Sequence, residues 1–205
     1  MKSEKRKNLR LFINSTLQTG AQIELNEDAS HYLCNVMRLG DQDEFSCFDG
    51  CNGEFAAKII SAHKKHTLIR ILNLLRPFQA SPDIWLLYAP LKKDATDFVI
   101  AKAVELGASR IIPVITARTN AASIRTERLN AQAVEAAEQC ERLDVPPVEE
   151  PQNFAALVNG WDKKRTLYFM DETHRGCPVA EAVSYTHLRA HETRHVLVCR
   201  LLLEK

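Results

Sequence analysis

The run His191-Glu192-Thr193-Arg194-His195 is a literal HExxH. On a helix that spacing sets two imidazoles one turn apart on a zinc ion and leaves the glutamate as general base of a metallohydrolase. No further histidine follows in residues 196–205, so the pattern stands without its usual context. Cys47, Cys51, His63 and His66 form a second metal-like set. The cysteines flank Phe48-Asp49-Gly50 and only Lys64 and Lys65 separate the histidines, a shorter spacing than zinc fingers use. Both sets are read as metal-free, with a zinc metallohydrolase kept as an alternative. Phosphate chemistry has better-placed residues. Lys92 and Lys93 follow the carboxyl end of a strand, the edge at which open α/β sheets bind ligands. Lys2, Lys5, Arg6, Lys7 and Arg10 crowd the amino terminus against Glu4 alone. Such a basic arm, with Arg38 beside it, suits a nucleic-acid backbone.

A folded scaffold must position these groups, and the composition supplies one. A chain of 205 residues with 45% hydrophobic content can build one large core or two small ones. Its 26% charged residues place it among ordinary globular chains rather than disordered ones. The formal net charge of +1 argues neither for nor against nucleic acid. No apolar stretch reaches membrane-spanning length and no apolar signal region follows the basic start, so a cytoplasmic protein without a membrane partner is expected. Cys34, Cys47, Cys51, Cys140, Cys177 and Cys199 are scattered through a chain that can build a core without staples, and reduced thiols are expected.

Two patterns divide the chain. Residues 9–14, 22–25, 44–48, 54–61 and 67–75 read as short strands separated by turn residues, with one helix over 29–37 capped by Asn26 or Asp28. Several short strands and one helix suggest a small barrel. From residue 83 the pattern alternates. Strands are predicted over 85–89, 110–116 and 167–170, and helices over 94–106, 125–141 and 154–158, with Gly107 as a left-handed cap. Alternation of this kind gives a parallel α/β sheet.

Specific motifs fall in order along this frame. His31 with Val36-Met37-Arg38-Leu39-Gly40-Asp41, then Phe48-Asp49-Gly50, resembles the amino-terminal domain of the ribosomal small-subunit methyltransferase E family. Ala89-Pro90-Leu91-Lys92-Lys93-Asp94 resembles that family's first knot-domain strand and turn. Lys102, Glu105-Leu106-Gly107, Ile112-Pro113-Val114 and Thr116 with Arg118 continue the likeness. So does Glu135-Ala136-Ala137-Glu138-Gln139-Cys140 with Arg142 and Val145-Pro146. The resemblance covers residues 9–182. It implies an α+β, two-domain chain: residues 1–78 form a small PUA-like β-barrel that binds RNA, and residues 79–182 form the first part of an α/β SPOUT (trefoil-knot) methyltransferase domain with a parallel sheet.

The implied activity is methyl transfer from S-adenosylmethionine to N3 of a uridine in 16S ribosomal RNA, by a homodimer acting on the small ribosomal subunit. That nitrogen must lose its proton to attack the sulfonium methyl, so the site needs a base or a cation that favours the anion. By resemblance Arg118 is the cation, with Glu138 beside it in the catalytic set. Arg10, His31, Arg38, Lys92, Lys93 and Arg142 are assigned to RNA. Glu138 and Arg142, one helical turn apart, are expected on a shared face. Asp171 and Glu172 are the expected rim of the cofactor pocket. A non-catalytic RNA-binding module is the alternative.

The pattern then breaks. Family members continue with a Gly-Pro-Glu-Gly-Gly loop and later a Leu-Gly plus Ile-Leu-Arg segment, and neither is in this sequence. Without those loops the chain as written is expected not to transfer methyl groups. Residues 183–193 resemble one reading frame of a transposase-type sequencing adapter, and residues 197–205 resemble its far end, with Val196 departing from the adapter codon. Residues 183–205 are accordingly set aside as a non-native tail. The tail abandons the α/β alternation, which is expected to leave the parallel strands with open edges.

Overall fold

The computed structural model describes residues 9–117, 119, 124–169 and 195–199. The chain divides into two compact units, one of residues 1–80 with 137–144 and one of residues 81–136 with 145–205.

In the first unit five short apolar segments become strands: β1 (Arg10–Phe12), β2 (Gln22–Glu24), β3 (Glu44–Phe48), β4 (Gly53–Ser61) and β5 (Leu68–Pro77). They form a curled half-barrel in the order β1-β3-β4-β5-β2. β1 runs parallel to β3 and the remaining pairs are antiparallel. Period-two alternation sends Phe55, Ala57 and Ile59 of β4 inward to meet Leu11, Leu33, Phe45, Ile69 and Ile71. The predicted helix starts earlier than expected. α1 (Glu27–His31) is capped by Asn26, whose side chain accepts the Ala29 N–H at 2.9 Å, and a π-helical turn over Tyr32–Val36 completes it. Below it the buried Ser30 hydroxyl donates to the Leu25 carbonyl at 3.3 Å and accepts the Thr67 N–H at 2.9 Å. Gly53 has φ +111°, and a Cβ there would press on the Arg76 carbonyl and lie 3.0 Å from the Phe78 nitrogen. Only glycine lets β4 and β5 close at this end.

The second unit alternates as its sequence predicts. β6 (Ile84–Tyr88) leads to α2 (Lys93–Glu105), then β7 (Arg110–Ile115) and α3 (Thr126–Gln139). A short β8 (Gln152–Asn153), α4 (Phe154–Asn159), β9 (Thr166–Phe169) and β10 (His195–Cys199) complete it. The strands are all parallel, in the order β8-β7-β6-β10-β9. Leu87, Ile112 and Val114 form a core with Phe154, Leu157 and Leu167 packed against it. α2 ends as expected at Gly107, φ +86°, where the Ala108 N–H reaches the Ala103 carbonyl at 2.9 Å.

Two expectations change here. α3 ends at Gln139 rather than continuing to 141, because Glu141 turns left-handed at φ +60°. β10 also lies within the segment set aside as a tail, and it pairs with both β6 and β9. A short run of valine, leucine and cysteine satisfies strand pairing whatever its origin. The inner edges of β6 and β9 are therefore covered, not open. The rest of the tail, residues 183–194 and 200–205, lies outside the described residues.

Candidate functional site

β6 is apolar as far as Tyr88, and Pro90 then stops it. The chain turns through Leu91 and Lys92 into α2, and Thr96 fixes that turn. Its hydroxyl accepts the Leu91 N–H at 3.0 Å and lies 3.2 Å from the Leu91 carbonyl. Thr96 is 5% exposed, so this lock is internal, whereas Lys92 and Lys93 stand in solvent. α3 begins immediately after Arg125 and carries Arg128 in its first turn. Lys93, Arg125 and Arg128 line one cleft of about 270 Å³, floored by Leu91, Ile124 and Leu129.

The electrostatics of this cleft are one-sided. Two helix amino termini meet at it, each presenting N–H groups without intrahelical acceptors and the positive end of a dipole. Each first turn carries one acid, Asp94 in α2 and Glu127 in α3, but the charged residues that line the cleft are Lys93, Arg125 and Arg128. A cation there works against the helix, and it becomes favourable when an anion binds both. Arg128 is aimed by Asp97, whose carboxylate takes its Nη1 at 2.6 Å. Behind the pair, Tyr88 is 1% exposed. Burial pushes its phenol upward; Arg128 opposes that shift and Asp97 adds to it, leaving a neutral hydroxyl. That hydroxyl and Gln132 Oε1 have no hydrogen-bond partner among the described residues.

The sequence-derived residues divide into three groups. Lys92 and Lys93 lie at this edge, after the carboxyl end of β6. His31 and Arg38 are exposed at the end of α1 and in the following turn of the first unit, where Arg38 is left-handed at φ +57°. Arg10, Glu138 and Arg142 are instead engaged inside that unit. Arg10, 7% exposed, donates to Glu54 Oε1 at 2.9 Å and to the carbonyls of Ala137, Glu138 and Arg142 at 2.9, 3.1 and 2.9 Å. Glu138 accepts the Phe12 N–H at 2.8 Å, and Arg142 forks onto Asp144 at 2.7 and 2.8 Å. Arg10 thus has little left to offer a phosphate. Arg142 lies beyond the end of α3, so it does not share a helix face with Glu138. Arg118, Asp171, Glu172 and the basic arm before residue 9 lie outside the described residues. Arg125 and Arg128 were not singled out in the sequence. The available signal was two arginines at a predicted helix start, against the dipole.

The metal-like residues also have internal explanations. Cys47 is fully buried on β3, its thiol pushed up to about 12 by burial first and then by the charges of Glu54 and Asp49. Asp49 organises the turn, accepting the N–H groups of Leu17, Cys51 and Asn52 at 2.9, 3.0 and 2.7 Å. Among the described residues no group of three His, Cys, Asp or Glu is placed to hold a metal. His191 and Glu192 of the HExxH lie outside the described residues, and His195 opens β10. Among the described residues no helix is long and apolar enough to cross a membrane.

An RNA methyltransferase domain model matches residues 79–198, and an RNA methyltransferase PUA domain model matches residues 25–72. The chain is 36% identical to ribosomal RNA small subunit methyltransferase E of Rickettsia conorii over 142 residues, 69% of this chain and 58% of that protein. It is 30% identical to the protein of the same name from Synechocystis over 165 residues, 79% of this chain and 54% of the relative. The chain therefore spans little more than half the length of these curated relatives. Among solved structures, ribosomal RNA small subunit methyltransferase E from Neisseria gonorrhoeae, bound to S-adenosyl methionine, superposes with a TM-score of 0.79 at 23% identity. That superposition covers 94% of this chain and 79% of the other. A Legionella pneumophila protein in complex with the same cofactor gives a TM-score of 0.76 at 24% identity, covering 94% and 78%.

Proposed function

Because this chain belongs to the RNA methyltransferase family of ribosomal small-subunit methyltransferase E, with a PUA-like unit and a SPOUT-type unit, we propose that it serves S-adenosylmethionine-dependent methylation of N3 of a uridine in 16S ribosomal RNA. The observation that carries this reading is the meeting of two helix amino termini with Lys93, Arg125 and Arg128 at the carboxyl ends of the parallel strands. That cleft fits an RNA phosphate. It does not fit the cofactor, whose sulfonium and ammonium groups would meet like charge. Methyl donation is the chemistry the cofactor supplies, and the residues assigned to hold it, Asp171 and Glu172, remain part of the proposal.

The chain's own residues perform the electrostatic part. Seating a phosphate on Lys93, Arg125 and Arg128 orients the nucleotide and removes water from around it. A cationic surround also favours the N3 anion over the neutral ring, which lowers the cost of losing the proton before attack. Arg118, at the exit of β7, is proposed for the closest such contact. His31 and Arg38 on the PUA-like unit are proposed as further backbone contacts. The protein is proposed to act as a cytoplasmic homodimer. The likeness of residues 183–205 to adapter sequence is a separate proposal, tested by resequencing the gene across codon 183.

The test is filter binding of a 16S rRNA fragment, with transfer of labelled methyl to that fragment measured in parallel. Arg125→Glu with Arg128→Glu should weaken binding by more than tenfold and flatten its salt dependence by about two phosphate contacts. Unchanged affinity and salt slope would reject the cleft as the RNA site. This chain, without the Gly-Pro-Glu-Gly-Gly loop, is proposed to bind RNA and not transfer methyl. Transfer gained when that segment is restored supports the methyltransferase reading, and RNA binding still without transfer after restoration favours the non-catalytic RNA-binding reading.

A further inference from the structure

A larger cleft, about 580 Å³, opens at the opposite end of the same sheet, where β6, β7 and β9 begin. Its principal wall is aromatic. The rings of Trp85 and Trp161 meet edge to face, with centroids 6.0 Å apart and planes at 82°. The guanidinium carbons of Arg165 and Arg110 lie 3.7 and 4.2 Å from the Trp85 ring centroid. Trp161 is fixed by its indole N–H, which donates to the Arg165 carbonyl at 3.0 Å. Each arginine also holds an acid: Arg165 grips the Asp83 carboxylate at 2.8 and 2.9 Å, and Arg110 Nε donates to Glu149.

The remaining hydrogen-bond capacity points to a ligand. Arg165 has a side chain only 5% exposed, lines the cleft, and keeps a buried Nε–H with no partner. The terminal nitrogens of Arg110 are not used by Glu149, which takes Nε. Gln152 spends its amide nitrogen on Glu149 at 2.8 Å and keeps its carbonyl oxygen at the cleft. The charges that line the site are Arg110 and Arg165 against Asp83, Glu149 and Asp162. That balance is net negative, so the cleft repels a phosphate. Arg110 and Arg165, from opposite sides of β6, already cover the Trp85 ring, so stacking falls to Trp161, which also lines the cleft. The cleft suits a flat, neutral ring that stacks there, presents carbonyl oxygens to arginine N–H donors and offers its own N–H to the glutamine oxygen.

We infer that this cleft takes one unpaired, carbonyl-bearing nucleobase, guanine or uracil, of the RNA substrate. Proteins read single-stranded RNA in this way, stacking splayed bases on aromatic rings and guanidinium planes and bonding their edges. β6 has five residues, so the two ends of the sheet stand on the order of 17 Å apart at about 3.3 Å per residue. The base held here is consequently a flanking nucleotide, not the one methylated. The inference rests on the RNA-methyltransferase reading for the identity of its ligand.

The sequence holds two tryptophans, and both are in this wall, so their emission reports directly on occupancy. The test titrates the intact chain with guanosine, uridine and adenosine, following tryptophan fluorescence and calorimetry. Guanosine or uridine should quench saturably, with adenosine at least several-fold weaker. Trp161→Leu should weaken nucleoside binding about tenfold or more, Trp161→Phe should restore most of it because a ring remains, and Arg110→Gln should erase the preference over adenosine. No saturable quenching at millimolar nucleoside, or equal affinities across these variants, would overturn the inference. Nucleoside binding that persists alongside failure to bind 16S rRNA would instead reject the proposed function and leave the cleft standing.

Discussion

Arg10 Nε and Glu54 Oε1 lie 2.9 Å apart with side chains only 6% and 7% exposed, and Arg76 takes the other Glu54 oxygen at 2.5 Å. Arg10 turns its remaining nitrogens onto the carbonyls of Ala137, Glu138 and Arg142, the orphan acceptors at the end of α3. A cation is favoured there by the helix dipole as well as by hydrogen bonding. One arginine therefore joins the first strand to a segment more than a hundred residues away, within a single compact unit.

Replacing Arg10 should act on stability before it acts on RNA. Arg10→Ala leaves Glu54 and three carbonyls short of a donor and is expected to cost about 3–5 kcal/mol, the range for breaking a buried pair. Urea melts give the stability change and filter binding gives the affinity. A fully stable variant with weakened RNA binding would return Arg10 to the phosphate role.

Acid should loosen the same unit. Burial alone would raise the Glu54 carboxyl, but Ser46, Arg10 and Arg76 outweigh it and hold the group below its ordinary 4.5. Asp49 is likewise held below its ordinary 3.8: burial opposes ionisation, and the Asn52, Leu17 and Cys51 N–H groups overcome it. A carboxyl with a depressed folded pKa contributes stability that is complete above its unfolded value and lost as pH falls through the folded value. Denaturation midpoints should thus stay level above about pH 5 and drop below about pH 4. Glu54→Gln should be destabilised at neutral pH and show a shallower acid drop, and an unchanged slope would remove Glu54 from the account.

Gly53 offers a test of backbone geometry. At φ +111°, with the Arg76 carbonyl in the way of any Cβ, Gly53→Ala must move the end of β5. A loss of about 1–3 kcal/mol is expected from conformational strain, before any cost of the clash. Gly20, also at positive φ but with open space around it, is the control and should lose less when changed to alanine. Equal losses at the two positions would show that the close approach at Gly53 is immaterial.

Thiol chemistry should separate two neighbouring cysteines. Cys51 is exposed in the Asp49 turn, whereas Cys47 is fully buried with its thiol pushed up to about 12. Iodoacetamide near pH 8, followed by peptide mapping, should label Cys51 at least a hundredfold faster than Cys47, since burial both hides the Cys47 thiol and suppresses its thiolate. Comparable rates in the native protein would mean that β3 opens readily.

The alternation of short strands followed by strand-helix pairs determined both sheet classes, because period and turn chemistry act within a few residues. A cap at Asn26 or Asp28, Gly107 as a helix stop and Lys92-Lys93 at a strand's carboxyl end were all legible for the same local reason, and the structure chose Asn26. Roles set by distant partners were not. Arg10 looked like part of a basic arm until Glu54 and the end of α3 enclosed it. Glu138 and Arg142 looked like one helix face until Glu141 turned left-handed and Asp144 took the arginine. Residues 195–199 are strand-prone in composition, yet only the edges of β6 and β9 gave that run a place in the sheet. Only tertiary structure brought Arg125 and Arg128 to Lys93, and Trp161 and Arg165 to Trp85. Charge and burial are fixed by what a side chain meets in space, and no spacing along the chain encodes partners separated by dozens of residues.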